Sequence, residues 1–315
     1  MSGERTGFLL RAAACTLLAA AMIGISELLG EKEIIFPEIT ALTVGAIAAP
    51  KQSWRVSRVR MMLLIAVCSV LGILIVRYSP LPKAANLVGA YLVCQVIFLL
   101  SRTSFAPMIS AAALPVLMDT ESIIYPISAA IMTVLTVLAQ LILEKCGRRE
   151  REEFTPLSFP GKFRWISAAV RTACAAVIAV PVLFLGWNFC VAPPLLVAFT
   201  EFSNPESRAR KNPVRTVLII TGCALCGAAF RLGLCTFLGL PLTVAGILAV
   251  AAALAIMRLA GQYIPPAGAL AVLPMIIPEK ALLIYPAEIF AGVTVFMLMA
   301  LCFRKRSINQ TTGQN

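Results

Sequence analysis

The chain has no histidine among its 315 residues. That absence excludes H-E-x-x-H zinc proteases, histidine-dependent serine hydrolases and histidine proton relays, all of which need an imidazole. Charge is scarce too: 13 % of residues are charged, with 15 acids against 27 bases. The acids are not gathered as they are where magnesium is held on a diphosphate, and no glycine-rich loop ends in Lys-Ser or Lys-Thr. No enzymatic activity, resident metal or cofactor is therefore expected. The ten cysteines are scattered through apolar segments, so they read as small hydrophobes rather than a disulfide framework. Cys223 and Cys226 form a C-x-x-C, but no second ligand pair stands nearby.

What is abundant is apolar surface. The chain is 60 % hydrophobic with a mean hydropathy of +0.90, which places it in a lipid bilayer. Net charge is +12, but the cations sit in short loops between apolar runs, where they set topology rather than bind nucleic acid. The first apolar run lacks a small-residue cleavage site and reads as a retained span. The polar tail 307–315 is expected to be disordered.

Polar and proline breaks divide the chain into six segments per half. They lie near 8–29, 34–50, 61–77, 84–101, 105–118 and 123–144, then near 165–187, 190–204, 214–232, 240–258, 264–278 and 281–303. With the N-terminus inside and every segment crossing, twenty cations fall on the cytoplasmic side and five outside. That is a strong positive-inside bias, and it predicts a multi-pass protein of the cell membrane with both termini cytoplasmic.

The two halves also match each other. At an offset of 155, Pro50, Arg55, Val59, Arg60, Leu63, Ile65, Cys68 and Gly72 fall on identical residues at 205, 210, 214, 215, 218, 220, 223 and 227. These are eight identities in 23 positions, where average usage gives roughly two. At offsets of 159 and 160, Pro107, Leu114, Pro115, Tyr125 and Pro126 fall on Pro266, Leu273, Pro274, Tyr285 and Pro286. The expected fold is an all-α polytopic bundle of two tandem repeats, 1–155 and 156–306. Because each half holds an even number of crossings, the repeats should be parallel, related by an axis along the membrane normal.

Some segments are too short to face lipid. Crossing about 30 Å of hydrocarbon takes roughly 20 helical residues, whereas 105–118 and 264–278 supply only 14 and 15. Both open on prolines, Pro107 in one and Pro265 with Pro266 in the other, which suits the first turn of a helix. The segments opening at Pro37 and at Pro193 share this grammar from the opposite side. Helices that begin inside the membrane turn unpaired donors and a positive dipole end toward an anion. Small residues after the prolines, Ser110 to Ala112 and Ala267 to Ala269 with Gly268 among them, let a ligand or a neighbouring backbone approach.

Ionisable residues in or beside the spans complete the candidate site, because intramembrane charge usually faces protein or water. Arg11 and Arg171 occupy equivalent places and form a candidate cationic attraction for solute. Glu38 and Glu288 are candidate coupling carboxylates, and Glu201 lies near the end of a short segment. Ordinary snorkelling or pairing at interfaces is the alternative for each.

The run Pro265-Pro266-Ala267-Gly268-Ala269 resembles the signature of the HPP family of integral membrane proteins, with Ile264 where that family has histidine. The first half keeps Pro107 and the small residues 110–113, and 36–50 resembles the family's small-residue segment. Some HPP members are implicated in nitrite transport, so the resemblance implies a nitrite-like substrate, which the missing histidine leaves open.

The functional expectation is a transporter or channel for a small anionic solute, with the lipid bilayer and that solute as its partners and homo-oligomer formation left open. Two alternatives stand beside it. An exporter of amphipathic or aromatic acids would be favoured by an apolar cavity wider than a small ion. In a non-transporting membrane assembly partner, the arginines and proline-flanked segments would be structural.

Overall fold

The computed structural model describes residues 2–303, so the tail 307–315 lies outside the described residues. Among the described residues every regular element is helical. In order they are α1 (Ser2–Leu29), α2 (Glu38–Thr43, continuing as a π-turn over Val44–Ala48), α3 (Arg58–Tyr78), α4 (Lys83–Leu100), α5 (Met108–Met118) and α6 (Ile124–Lys145). Then come α7 (Lys162–Phe184), α8 (Pro193–Phe202), the single turn α9 (Arg208–Lys211), α10 (Pro213–Phe230, running on into a π-turn over Arg231–Phe237), α11 (Leu242–Leu259), α12 (Pro265–Val272) and α13 (Tyr285–Leu301). Short 3-10 turns precede α2 and α8 and follow α12.

Seven of these helices are long and apolar enough to cross a membrane, an architecture that fits a multi-pass membrane protein. They expose apolar residues on their outer faces, among them Leu17 on α1, Ile131 and Ile142 on α6, and Val177 on α7, as lipid contact requires. The short helices behave differently. α2 and α12 are buried at every residue, and α5 and α8 at all but one each. The long helices therefore form a shell and the four short ones its core.

Helix lengths run long, short, long, long, short, long from α1 to α6, and repeat in that order from α7 to α13 when the turn α9 is set aside. α3 packs on α5 and α6, and α10 packs on α12 and α13. α4 lies against α7, and α11 lies against α1. Glycine permits the tightest of these approaches. A methyl at Gly72 on α3 would overlap Ala112 O of α5, and one at Gly227 on α10 would overlap Ala271 O of α12. Tyr125 and Tyr285, near the starts of α6 and α13, donate their hydroxyls to Ala111 O at 3.0 Å and Leu270 O at 2.7 Å.

The ends of the bundle follow from helix length. α3 spans 21 residues, roughly 31 Å at 1.5 Å per residue, so Arg58 and Tyr78 lie at opposite ends. Around Arg58 gather the loops 49–57, 101–107 and 146–161, joined by Gln52 N to Glu152 Oε1 at 2.8 Å and Leu157 N to Arg102 O at 2.9 Å. Around Tyr78 lie the Lys83–Asp119 ion pair and the bond from Arg77 Nε to Glu121 O at 2.9 Å.

Candidate solute site

A cavity of about 2000 Å³ opens at the end that carries the basic loops. Its lining combines apolar side chains such as Phe98 and Val170 with Trp54, Arg171, Thr200 and Glu201. The short helices reach it from both directions: Ala106 just before α5 and Pro265 at the start of α12 line it, as do Thr200 and Glu201 at the end of α8.

Arg171 is 7 % exposed. Its Nε and one terminal nitrogen donate to Gln95 Oε1 of α4 at 3.1 and 2.7 Å. Gln95 Nε2 in turn donates to Thr200 Oγ1 at 2.9 Å, and the Tyr91 hydroxyl lies 2.8 Å from the same oxygen. The network ties α7, α4 and α8 together behind the cavity wall. No carboxylate pairs with Arg171, because the two ion pairs among the described residues are Arg58–Glu144 and Lys83–Asp119. A cation removed from water without a counter-charge is costly.

Across the same cavity, Trp54 Nε1 donates to Glu201 Oε1 at 2.7 Å. The indole is fixed by an edge-on contact with Phe105 at 5.4 Å between centroids, and by Gly45, where a Cβ would overlap its ring. Beside the cavity the segment after α6 is strapped to the first-half loops. Arg149 Nη1 donates to Ile47 O at 2.9 Å and Ala49 O at 2.8 Å, capping the π-turn that ends α2. Phe154 and Phe159 lie under the guanidiniums of Arg60 and Arg102. Burial holds the Arg149 guanidinium below its usual pKa, while the carboxylate of Glu152 acts in the opposite sense.

The sequence-predicted residues separate into several places. Pro107 precedes the first turn of α5, and Pro265 with Pro266 opens α12. Ser110, in the first turn of α5, donates its hydroxyl to Glu38 Oε1 at the first residue of α2. α2 leads to the basic-loop end and α5 leads away from it, so their positive N-terminal ends converge on this carboxylate. In the first half, the anion-favouring position is thus filled by the protein's own Glu38, which is 1 % exposed. Glu38 Oε2 and Thr40 Oγ1 are buried with no hydrogen-bond partner among the described residues. Glu288, 4 % exposed, accepts from Phe189 N at 2.6 Å in the turn leading to α8. Gly268 admits α2: a Cβ there would sit 3.1 Å from Thr40 Cγ2 and 3.2 Å from Thr40 O. Arg11 and Arg171 fall in different interfaces, since α1 packs on α11 and α7 on α4.

Sequence reasoning missed Gln95, Thr200 and Trp54. Gln95 carried the best signal, as an uncharged polar residue well inside an apolar run. Scanning family models, curated proteins and solved structures finds no match to this chain.

Proposed function

We propose that the protein is a membrane transporter that takes an anionic solute into the cavity at its basic end, with Arg171 as the principal attraction. The observation that carries this reading is a buried guanidinium, unpaired with any acid, lining a solvent-sized cavity among short buried helices. An organic acid with an apolar body fits better than a nitrite-sized ion. A cavity of about 2000 Å³ exceeds the ≈ 300–1,000 Å³ of ordinary small-molecule sites, and apolar side chains make up much of its wall. Pro107, Pro265, Pro266 and Gly268 set the broken helices around the site, whereas Ser110, Glu38 and Glu288 stabilise helix starts. On this reading the protein performs no chemistry on its solute.

Two parallel copies of one six-segment unit form the framework of this proposal, with the HPP family as the suggested relative on the strength of 264–269 alone. The paired glycines, the paired tyrosine bonds and the crossed packing of α4 on α7 and α11 on α1 support the duplication. Placing the basic-loop end in the cytoplasm of a cell membrane follows the positive-inside rule.

The test is uptake into proteoliposomes, with benzoate and nitrite as probes. Saturable benzoate uptake that falls at least about tenfold in Arg171→Ala is expected, a loss of ≈ 1.4 kcal/mol of anion stabilisation. Uptake indifferent to Arg171→Ala overturns Arg171 as the principal attraction, and neither anion moving faster than in protein-free vesicles overturns the transporter reading in favour of a non-transporting membrane partner.

A further inference from the structure

The geometry points to Glu201 as a proton-binding carboxylate that shares the cavity with the anion, so that solute and proton bind together. The inference rests on the transporter reading of that cavity and identifies its coupling group. Three carboxylates belong to the short-helix region, and they differ in access. Glu38 is sealed against Ser110, and Glu288 is occupied by Phe189 N. Glu201 is half-buried, lines the cavity, and has the Trp54 indole as its side-chain hydrogen-bond partner.

The charged surroundings of Glu201 can be read from each element packed on α8. α7 brings Lys162, Arg164, Arg171 and Cys174; α13 has Tyr285 and Glu288 at its start and Cys302 just past its end; the preceding turn holds Cys190. α5 and α12 contribute no ionisable side chain. The loop bearing Trp54 carries Lys51 and Arg55, and Glu152, Glu153, Glu206, Arg208 and Tyr263 line the rest of the cavity. No cation forms an ion pair with Glu201 among the described residues. Its neighbour in sequence, Thr200, is bonded to Gln95, which holds Arg171. The hydrogen bonds from the guanidinium thus end one residue short of Glu201, whose carboxylate bonds Trp54 instead, and the two groups line one volume of solvent.

This arrangement creates a linkage. An ionised Glu201 repels an anion entering beside it, and a proton taken from cavity water onto the carboxylate removes that repulsion. The Trp54 N–H remains a donor to the carbonyl oxygen of the acid, so no other bond must break. By reciprocity, a bound anion favours protonation by the same factor as protonation favours the anion. The second half places Glu201 where the first has Ala46, and the first half places Trp54 where the second has Ala209. The coupling pair is thus assembled once, across the two halves.

The test reads proton and anion separately in lipid nanodiscs. Trp165→Phe with Trp187→Phe leaves Trp54 as the sole tryptophan, and its emission, together with the carboxyl infrared band, is followed against pH with no solute present. One titrating step is expected, lost in Glu201→Gln and retained in Glu38→Gln. A step that survives Glu201→Gln, or that disappears in Glu38→Gln, overturns the assignment. Benzoate affinity is then measured between pH 6 and 8, where this probe stays ionised. A rise approaching about tenfold per unit fall in pH is expected above the transition, the limit for full linkage of one proton, with a flat response in Glu201→Gln. Benzoate binding that is independent of pH in the parent protein sinks the coupling. Absence of benzoate binding beside an intact Trp54 step sinks the solute reading and leaves the proton site standing.

Discussion

Replacing Gly227 by alanine tests the close approach on which the core depends. The methyl carbon would overlap Ala271 O and lie 2.9 Å from Ala271 C and 3.1 Å from its Cα. Carbon contacts are most favourable at about 3.5–4.0 Å, and the obstructing atoms are backbone, so α10 and α12 must separate by roughly 1 Å. A gap of that size forfeits about a quarter to a half of each dispersion contact along the seam, and overpacking of this kind costs about 1–3 kcal/mol. Alanine also gains about 1 kcal/mol of helix propensity over glycine, which a control can cancel. Gly89 on α4 has nothing within 4 Å of its ideal Cβ, so Gly89→Ala carries the propensity gain without the clash. Equilibrium unfolding of the two variants in mixed micelles should therefore differ by about 1–3 kcal/mol, with Gly89→Ala the more stable. Gly72→Ala should resemble Gly227→Ala, since its methyl meets Ala112 O and sits 3.0 Å from Pro115 Cγ. Equal stability of Gly227→Ala and Gly89→Ala would refute the packing argument.

Ser110→Ala leaves Glu38 Oε1 without its hydroxyl donor and should lower unfolding stability by about 1–3 kcal/mol, measured in the same micelles. Glu288→Ala strips the acceptor from Phe189 N and should cost a similar 1–3 kcal/mol, with hydrogen exchange rising at the turn before α8. Arg149→Ala removes two bonds to the end of α2 and should speed proteolysis within 150–158 well before global unfolding. Cys146 and Cys302 are exposed, and an impermeant maleimide should reach both from the face that carries the basic loops alone, whereas Lys280→Cys should label from the opposite face. Labelling of all three from one side would contradict the even-crossing topology.

The segment boundaries were readable because water and hydrocarbon impose them locally. The expected segments 61–77 and 123–144 appear as Arg58–Tyr78 and Ile124–Lys145, and the short ones at 105–118 and 264–278 appear as Met108–Met118 and Pro265–Met275. Proline marked where each short helix starts, since its missing N–H is harmless only in a first turn. The π-turns at Val44–Ala48 and Arg231–Phe237 left no such mark, because an extra residue per turn has no distinctive composition. The candidate site was only partly legible. Arg171 stood out as a cation inside a span, but Gln95 and Thr200 are polar residues of a kind that helices in lipid also use for ordinary packing.

The sequence alone determined the helical class, the lengths of the spans and the short segments among them, because these follow from hydropathy and proline placement along one stretch of chain. Only the tertiary structure decided which helix ends meet. It brought Glu38 of α2 onto Ser110 of α5, so that a candidate coupling carboxylate joins two helix starts. It also set Trp54 against Glu201, 147 residues away, and Arg171 in the wall of the same cavity. Such meetings depend on how two halves of the chain pack around a shared core, and local pattern carries no record of that distance.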